Sequence, residues 1–305
     1  MPRASVNPRT HARVLDWFDS HGRPFPWREN RDPYRTLVAE VMLQQTQTGR
    51  VGPSYESFLK SFPTVRSLAH APAMEVIRAW RGLGYNKRAV NLQQAAQVIE
   101  AVHGGEVPDD PAALRTLPGV GEYTANAVAC FAFDRQVPVV DVNVERVLAR
   151  AALGKEPGEA PKDAIRDAAR AWLPAGQADR WNQALMDVGA MICRIDAPLC
   201  AKCPLKTVCR AKAGGRPGAR APAKKAEPFE GSRRQKRGGI VDALRDAASD
   251  GISLRALGDA LHPSREDRDL MWLVELLHGL EADGLVELTP GARRGSPRGV
   301  VRLPG

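Results

Sequence analysis

The run LPGVGEYTANAVACFAF, residues 117–133, decides how the rest of the chain reads. Its first five residues, Leu117-Pro118-Gly119-Val120-Gly121, make a glycine turn between an apolar segment at Leu114 and a helical run from Ala125 to Phe131. A G-x-G turn entering a helix presents free backbone N–H groups and the positive end of the helix dipole. Such a turn can grip a phosphate, directly or through a cation, without any side-chain charge. It serves equally well as plain packing between two helices, and the turn alone does not choose. Downstream, the apolar run Val137-Pro138-Val139-Val140 ends at Asp141. Val144, Val147, Leu148 and Ala151 then predict a helix over 143–151. The ordinary role of an Asp in that place is an N-cap. Capping and facing a substrate can coexist.

Upstream, Tyr34, Leu37, Val38, Val41 and Met42 follow the i, i+3, i+4, i+7, i+8 pattern of a buried helix face. Glu40, Gln44 and Gln47 form a polar stripe beside it, on a helix read as running from Tyr34 to Gln47. A carboxylate at the edge of an apolar face has a route to the raised pKa that a general acid needs. An isolated Glu there is more often solvated. Two-residue alternation is scarce before residue 285, and Gly and Pro punctuate the periodic runs, so the first two hundred residues read as all-α.

Four of the five cysteines, Cys193, Cys200, Cys203 and Cys209, fall in the spacing C-x6-C-x2-C-x5-C. Thiols concentrated in this way point to metal rather than disulfides. Structural zinc usually takes paired CxxC motifs or adds histidine, and no histidine is near. One tight pair with two longer spacers, all thiolate, suits a [4Fe–4S] cube, with zinc as the alternative. Cys130, inside an apolar run, reads as a buried small hydrophobe.

The chain has 305 residues and a net charge of +9, with 43% hydrophobic residues. This excludes wholesale disorder, and the charge favours a polyanionic partner. No run approaches a membrane span of roughly 18 apolar residues. Residues 1–13 lack the apolar core of a secretory signal, so a cytoplasmic location, with the nucleoid, is expected. Residues 210–237 hold ten Lys or Arg against two Glu, so nearly all of the net charge sits there. This Gly/Pro/Ala/Lys-rich stretch reads as a flexible basic linker between a catalytic domain over 1–209 and a small module over 238–305. In the module, three amphipathic segments precede two alternating stretches, 284–288 and 299–303, which predicts a winged helix. Its third helix, read as 265–280, carries Glu266, Asp267, Asp269 and Glu275, so it is not a basic recognition helix.

Six ordered motifs together resemble one family: PWR…DPY…EVMLQQTQ (26–47), GLGY (82–85), LPGVG, VDVNVERVL (140–148), NQALMDVGAMIC (182–193) and the cysteine loop. Over about residues 10–210 the chain resembles the MutY-type adenine DNA glycosylases of the helix–hairpin–helix superfamily, which includes endonuclease III. The resemblance implies a bilobed, mainly helical fold with a [4Fe–4S] loop. It implies a monomer that acts on duplex DNA and flips a mispaired adenine out of the stack. Glu40 matches the general acid that protonates the adenine, and Asp141 the carboxylate that stabilises the oxocarbenium-like sugar. Gln44 and Gln45 match the segment that fills the gap. Tyr85 matches a residue wedged beside the opposite oxidised guanine. Trp27, Arg28 and Gln183 match positions lining the adenine pocket, while Leu117, Gly119, Gly121, Tyr123 and Asn143 match DNA-contacting positions.

Relatives with lyase activity carry a lysine two places after the hairpin. Here Glu122 and Tyr123 follow it, which predicts a monofunctional glycosylase. Three departures accompany the resemblance. Val142 stands where the family usually has Gly, Asn86 where a second aromatic often follows GLGY, and the C-terminus is too short for the Nudix-like domain of long members. A thymine mismatch glycosylase of the same superfamily is the nearest alternative. A non-enzymatic DNA-binding redox regulator is the more distant one.

Overall fold

The computed structural model describes residues 6–215, 228–261 and 270–305. The middle of the expected linker (216–227) and the residues 262–269, which include the start of the expected third module helix, lie outside the described residues. The described chain is mainly helical, as the periodicity predicts, and none of its helices is long and apolar enough to cross a membrane. It divides into two compact units that cut across chain order: residues 1–37, 109–115 and 120–224, and residues 38–108, 116–119 and 225–305.

The first unit holds the helices Pro8–His21, Glu122–Phe133, Val142–Leu148, Lys162–Trp172 and Ala178–Asp187. Asn7 caps the first by accepting from Thr10 N, and Asp141 caps the third. Each such cap is worth about 1 kcal/mol. Val14, Val147, Leu148, Trp172, Trp181 and Leu185 form its core, and Cys193, Cys203 and Cys209 pack against the same cluster. Two helices do not stop where the 3.6-residue pattern ends. Val142–Leu148 passes into a π turn at Ala149–Leu153, and Ala178–Asp187 into another at Val188–Ile192. Such widened turns recur at functional sites, and here the second leads directly into Cys193.

In the second unit, Lys87–His103 is the long central helix. Gln93 and Gln97 donate from it to the carbonyls of Ala71 and Ala69, at 2.6 and 3.2 Å, pinning the end of the short Val65–Ala69 helix. Trp80 is fully buried and meets Phe58 edge to face at 5.8 Å. The C-terminal residues belong to this unit. Their elements run helix (Arg233–Asp246), strand (Ile252–Ser253), helix (Leu254–Leu261), helix (Met271–Ala282), then strands Glu287–Leu288 and Val300–Arg302. The three strands form an antiparallel sheet with the last strand in the middle, in the register Ile252↔Val301 and Leu288↔Val301. Ile252–Ser253 thus adds a strand where the sequence pattern showed only the entry to a helix. Pro290–Arg293, capped by Thr289, fills the expected turn with a helical one. Ile77 lies in one core cluster with Ile240, Leu244, Leu273 and Leu277, so the C-terminal module has no hydrophobic core of its own.

Two expectations change here. The helix after the linker begins at Arg233, because Ser232 accepts from Gln235 N while Gln235 Oε1 takes Gly231 N. Arg233, Arg234, Lys236 and Arg237, read as tether charge, are therefore helical residues. The Glu40 helix ends at Leu43, so Gln44 and Gln47 do not extend its stripe.

Candidate catalytic and DNA-binding site

Asp141 is half-buried where the chain turns into the Val142–Leu148 helix. Its Oδ1 accepts from the backbone of Asn143 (3.0 Å) and Val144 (2.7 Å), and its Oδ2 from Asn143 Nδ2 at 2.7 Å. Burial pushes its pKa up, and these hydrogen bonds with the nearby Arg146 charge only partly offset that. The N-cap reading and the functional one are therefore compatible in this geometry. Asn143 is braced in turn. Its Oδ1 accepts from Arg146 Nη2 at 2.8 Å, and Arg146 also donates to the carbonyls of Gly189 (2.8 Å) and Cys193 (2.6 Å). A chain of hydrogen bonds thus runs from Asp141 to the first cysteine of the loop. Gly189 makes this approach possible: a Cβ there would stand 2.6 Å from Asn143 Cβ. Val142 carries no positive φ and is 74% exposed, so its departure from the family's Gly brings no backbone strain.

Around the cysteine loop, Cys193, Cys200, Cys203 and Cys209 line one small cavity with Arg150, Ile192 and Pro198. None of them is in a disulfide. Arg150 Nη1 approaches Cys193 Sγ at 3.7 Å and donates to Arg194 O, while its other face pairs with the buried Glu156 at 2.7 Å. Arg13 ties the loop back to the first helix through Pro204 O (2.6 Å) and Thr207 Oγ1 (2.7 Å). Burial pushes the Cys203 thiol up to about 12. Among the described residues, no three His, Cys, Asp or Glu side chains converge as a site for a single ion. Cys130 is fully buried, its thiol pushed up to about 12 by burial, as suits a packing residue.

Arg28 does not present a free guanidinium. It forms a two-pronged pair with Asp187, at 2.8 and 3.0 Å, and lies against Phe18 and Phe25. Asp187 is fully buried. Burial raises its carboxyl, but Arg28 and Arg23 more than compensate and hold it below the usual range. Trp27 stacks on Phe25 with ring centroids 4.8 Å apart. Gln183 donates to Asp179, which also accepts from Arg31. Tyr123 lines a separate cavity of about 580 Å³ with Asn126, Val140 and Glu145.

In the second unit, Glu40 is 4% exposed among Leu37, Val41 and Met42, so it is not a solvated stripe residue. Gln45 and Tyr85 both have positive φ, 55° and 45°. That region costs a non-glycine residue on the order of 1 kcal/mol or more and persists only where surroundings enforce it. Arg88 enforces both. From beneath 8% exposure, its guanidinium donates to the carbonyls of Val41, Met42, Gln44, Leu83 and Gly84 and to Thr46 Oγ1, at 2.6 to 3.0 Å. It also ends the Glu40 helix, since a cation placed on the last carbonyls satisfies them. Burial pushes its pKa down to about 10. Gln44 Nε2 reaches Gly119 O at 3.4 Å. Gly119 has φ +75°, and a Cβ there would strike Asn91, whereas a Cβ on Gly121 would meet nothing within 4 Å. Leu117 and Val120 are the buried anchors of the hairpin.

Sequence reasoning missed Arg88, Arg146, Arg150 and Asp187. Arg88 left a signal: it shares the spacing of Leu92, Ala96 and Ile99, where an apolar residue belongs. A charge on a core stripe marks a buried anchor.

Residues 38–174 match the HhH-GPD superfamily base excision DNA repair protein family. An adenine DNA glycosylase of Mycobacterium tuberculosis is 38% identical over 310 aligned residues, covering 97% of each chain. The chain belongs to the adenine DNA glycosylase family. Among solved structures, a thermostable thymine-DNA glycosylase is 32% identical with a TM-score of 0.62, over 66% of this chain and 94% of that one. Endonuclease III trapped as a covalent intermediate with DNA is 25% identical with a TM-score of 0.58, over 69% of this chain and 100% of that one. The mycobacterial family member matches along nearly the whole chain, whereas these two structures match about two thirds of it.

Proposed function

We propose that this protein is a monofunctional base-excision repair enzyme that hydrolyses the N-glycosidic bond of adenine mispaired with 8-oxoguanine or guanine in duplex DNA. The observation that carries the reading is Asp141: a desolvated carboxylate, held by three hydrogen bonds, in a chain whose post-hairpin positions offer no amine. Two carboxylates in different environments divide the work. Glu40, among apolar side chains, protonates N7 of the flipped adenine. The C1′–N9 bond then breaks, its electron pair leaves with neutral adenine, and positive charge develops on the sugar. Asp141, the more firmly held carboxylate, opposes that charge until water adds at C1′ and releases a proton. The products are free adenine and an abasic sugar, with the strand intact. Backbone amides at Gly119–Gly121, with open space at Gly121, suit a phosphate.

The four cysteines fit a [4Fe–4S] cluster. All four line one cavity, the donor set is entirely thiolate, and Arg150 beside Cys193 favours its ionised form. Bound there, the cluster would cross-link the loop and supply a one-electron redox couple. The chain's own residues, Arg13, Arg146 and Arg150, hold the loop in place. The protein is read as a monomer acting in the cytoplasm.

Single-turnover excision from duplexes holding A opposite 8-oxoguanine, A opposite guanine and T opposite guanine tests this. Adenine release is expected, without strand cleavage. Glu40→Gln is expected to lose at least about a thousandfold in rate while still binding duplex. Near-normal turnover by that variant, or release of thymine in preference to adenine, would overturn the assignment.

A further inference from the structure

The Gly82–Asn86 loop and the start of the Arg233–Asp246 helix meet in an exposed stack that the excision chemistry leaves unused. The Arg234 guanidinium lies 4.9 Å from the centroid of the Phe229 ring and 5.7 Å from that of Tyr85. Its Nη1 also donates to Tyr85 Oη at 2.8 Å. Both rings face solvent, Phe229 at 55% and Tyr85 at 41% exposure. Exposed aromatic planes interleaved with a guanidinium are what an unpaired nucleobase stacks on. Packing against solvent gives no other reason for two rings so open to water.

The stack is fixed before anything binds. Tyr85 sits at φ 45°, with the loop carbonyls of Leu83 and Gly84 both held by Arg88 at 3.0 Å. The C-terminal residues clamp the same loop from further sides. Arg245 Nη2 donates to Asn86 Oδ1 at 2.9 Å, Lys87 pairs with Asp283 and Arg81 with Asp246. Asn86, where the family often has an aromatic, thus serves as an anchor for the module. A preorganised surface spends little of its binding energy on ordering itself.

We propose that Phe229, Arg234 and Tyr85 form a stacking platform for the base that stands opposite the excised adenine. Arg234 contacts that base and positions the Tyr85 ring. The proposal rests on the excision reading, because flipping adenine out is what leaves its partner unpaired. The C-terminal module is then part of the lesion-reading surface rather than an appendage to it.

The test is equilibrium binding to two duplexes that carry 2′-fluorinated adenine, whose sugar resists forming the oxocarbenium-like state. One has 8-oxoguanine opposite the adenine and the other a tetrahydrofuran abasic site. The wild-type protein is expected to prefer the base-containing duplex by about tenfold or more, the range of one base–aromatic stack. Arg234→Ala and Phe229→Ala are each expected to cut that preference to within about twofold with melting temperature unchanged. Arg234→Lys keeps the charge but not the plane, so it should retain the salt dependence of binding and lose the preference. Equal weakening of both duplexes by Arg234→Ala, no effect on either, or no preference in the wild type would overturn the platform. Adenine release is scored separately on unfluorinated duplex. If it fails there, the excision reading falls while the binding comparison still decides the platform.

Discussion

Arg146 and Arg88 brace two functional regions in opposite ways. Arg146 reaches Asp141 only through Asn143, and Asp141 keeps two backbone hydrogen bonds of its own whatever Arg146 does. The carboxylate is held redundantly, as an N-cap held by a helix that would exist anyway. Arg88 is the shared anchor of two segments, 41–46 and 83–84, and its partners are almost all main-chain carbonyls. Gln45 and Tyr85, the residues in unfavourable backbone conformations, border the segments it holds. The part that handles charge is built with spare supports. The part that reads a strand depends on one buried cation.

The largest effect should therefore come from Arg88. Arg88→Met removes a donor set that satisfies five carbonyls, and buried unsatisfied acceptors cost about 1–3 kcal/mol each, not additively. Relief of the buried charge offsets part of this. A net loss of about 3–5 kcal/mol is expected by denaturant unfolding, with amide exchange rising first in residues 43–47 and 82–86. A loss below about 1 kcal/mol would show that the loops are held elsewhere and would break the contrast with Asp141.

Gly189→Ala attacks the other brace. The added methyl would overlap Asn143 Cβ and its carbonyl, at 2.6 and 2.8 Å. Overpacking of this kind costs about 1–3 kcal/mol. Because the collision falls on Asn143, excision should drop by more than the stability loss explains, with duplex binding retained. Unchanged excision at a lowered melting temperature would mean that Asn143 does not tune Asp141.

These two residues also mark how far the sequence could be read. Gly189 lies inside a quoted motif, and the helix, hairpin, carboxylates and cysteine loop are visible as periodicity and spacing. Local rules govern each of them. What could not be read is carried by long-range contact. Arg88 meets carbonyls some 40 residues away in sequence, and no local pattern encodes that. The C-terminal segment was legible as a small helical module with strands, but not as one that shares a core with Ile77. The tether charge was misplaced for the same reason. Composition around 233–237 reads as linker, while Ser232 and Gln235 fold it into a helix and Asp283 and Glu275 pair with its arginines. Long-range partners decide what a basic run becomes.

The smallest effect sharpens the contrast at Asp141 itself, because redundancy of support should not be mistaken for stability. Its folded pKa lies above the model value of 3.8, with desolvation as the leading cause. The native state therefore holds this proton more tightly than the unfolded chain does. Whatever stability that contributes is fully present below about 4 and is lost as pH rises through the folded value. At neutral pH the carboxylate is kept ionised at a cost, the expected condition of a group whose charge is needed in a reaction rather than in the fold. Asp141→Asn removes the charge and keeps the shape. The stability of the variant relative to wild type should then improve on going from pH 3.5 to pH 7, by no more than about 1–2 kcal/mol, while excision falls at every pH. Thermal unfolding of both proteins across that range reads the sign directly. A relative stability that worsens as pH rises would mean that the hydrogen bonds from Asn143 and Val144 outweigh desolvation. Asp141 would then be a stabilising cap first, and the carboxylate would need no strain to do its chemistry.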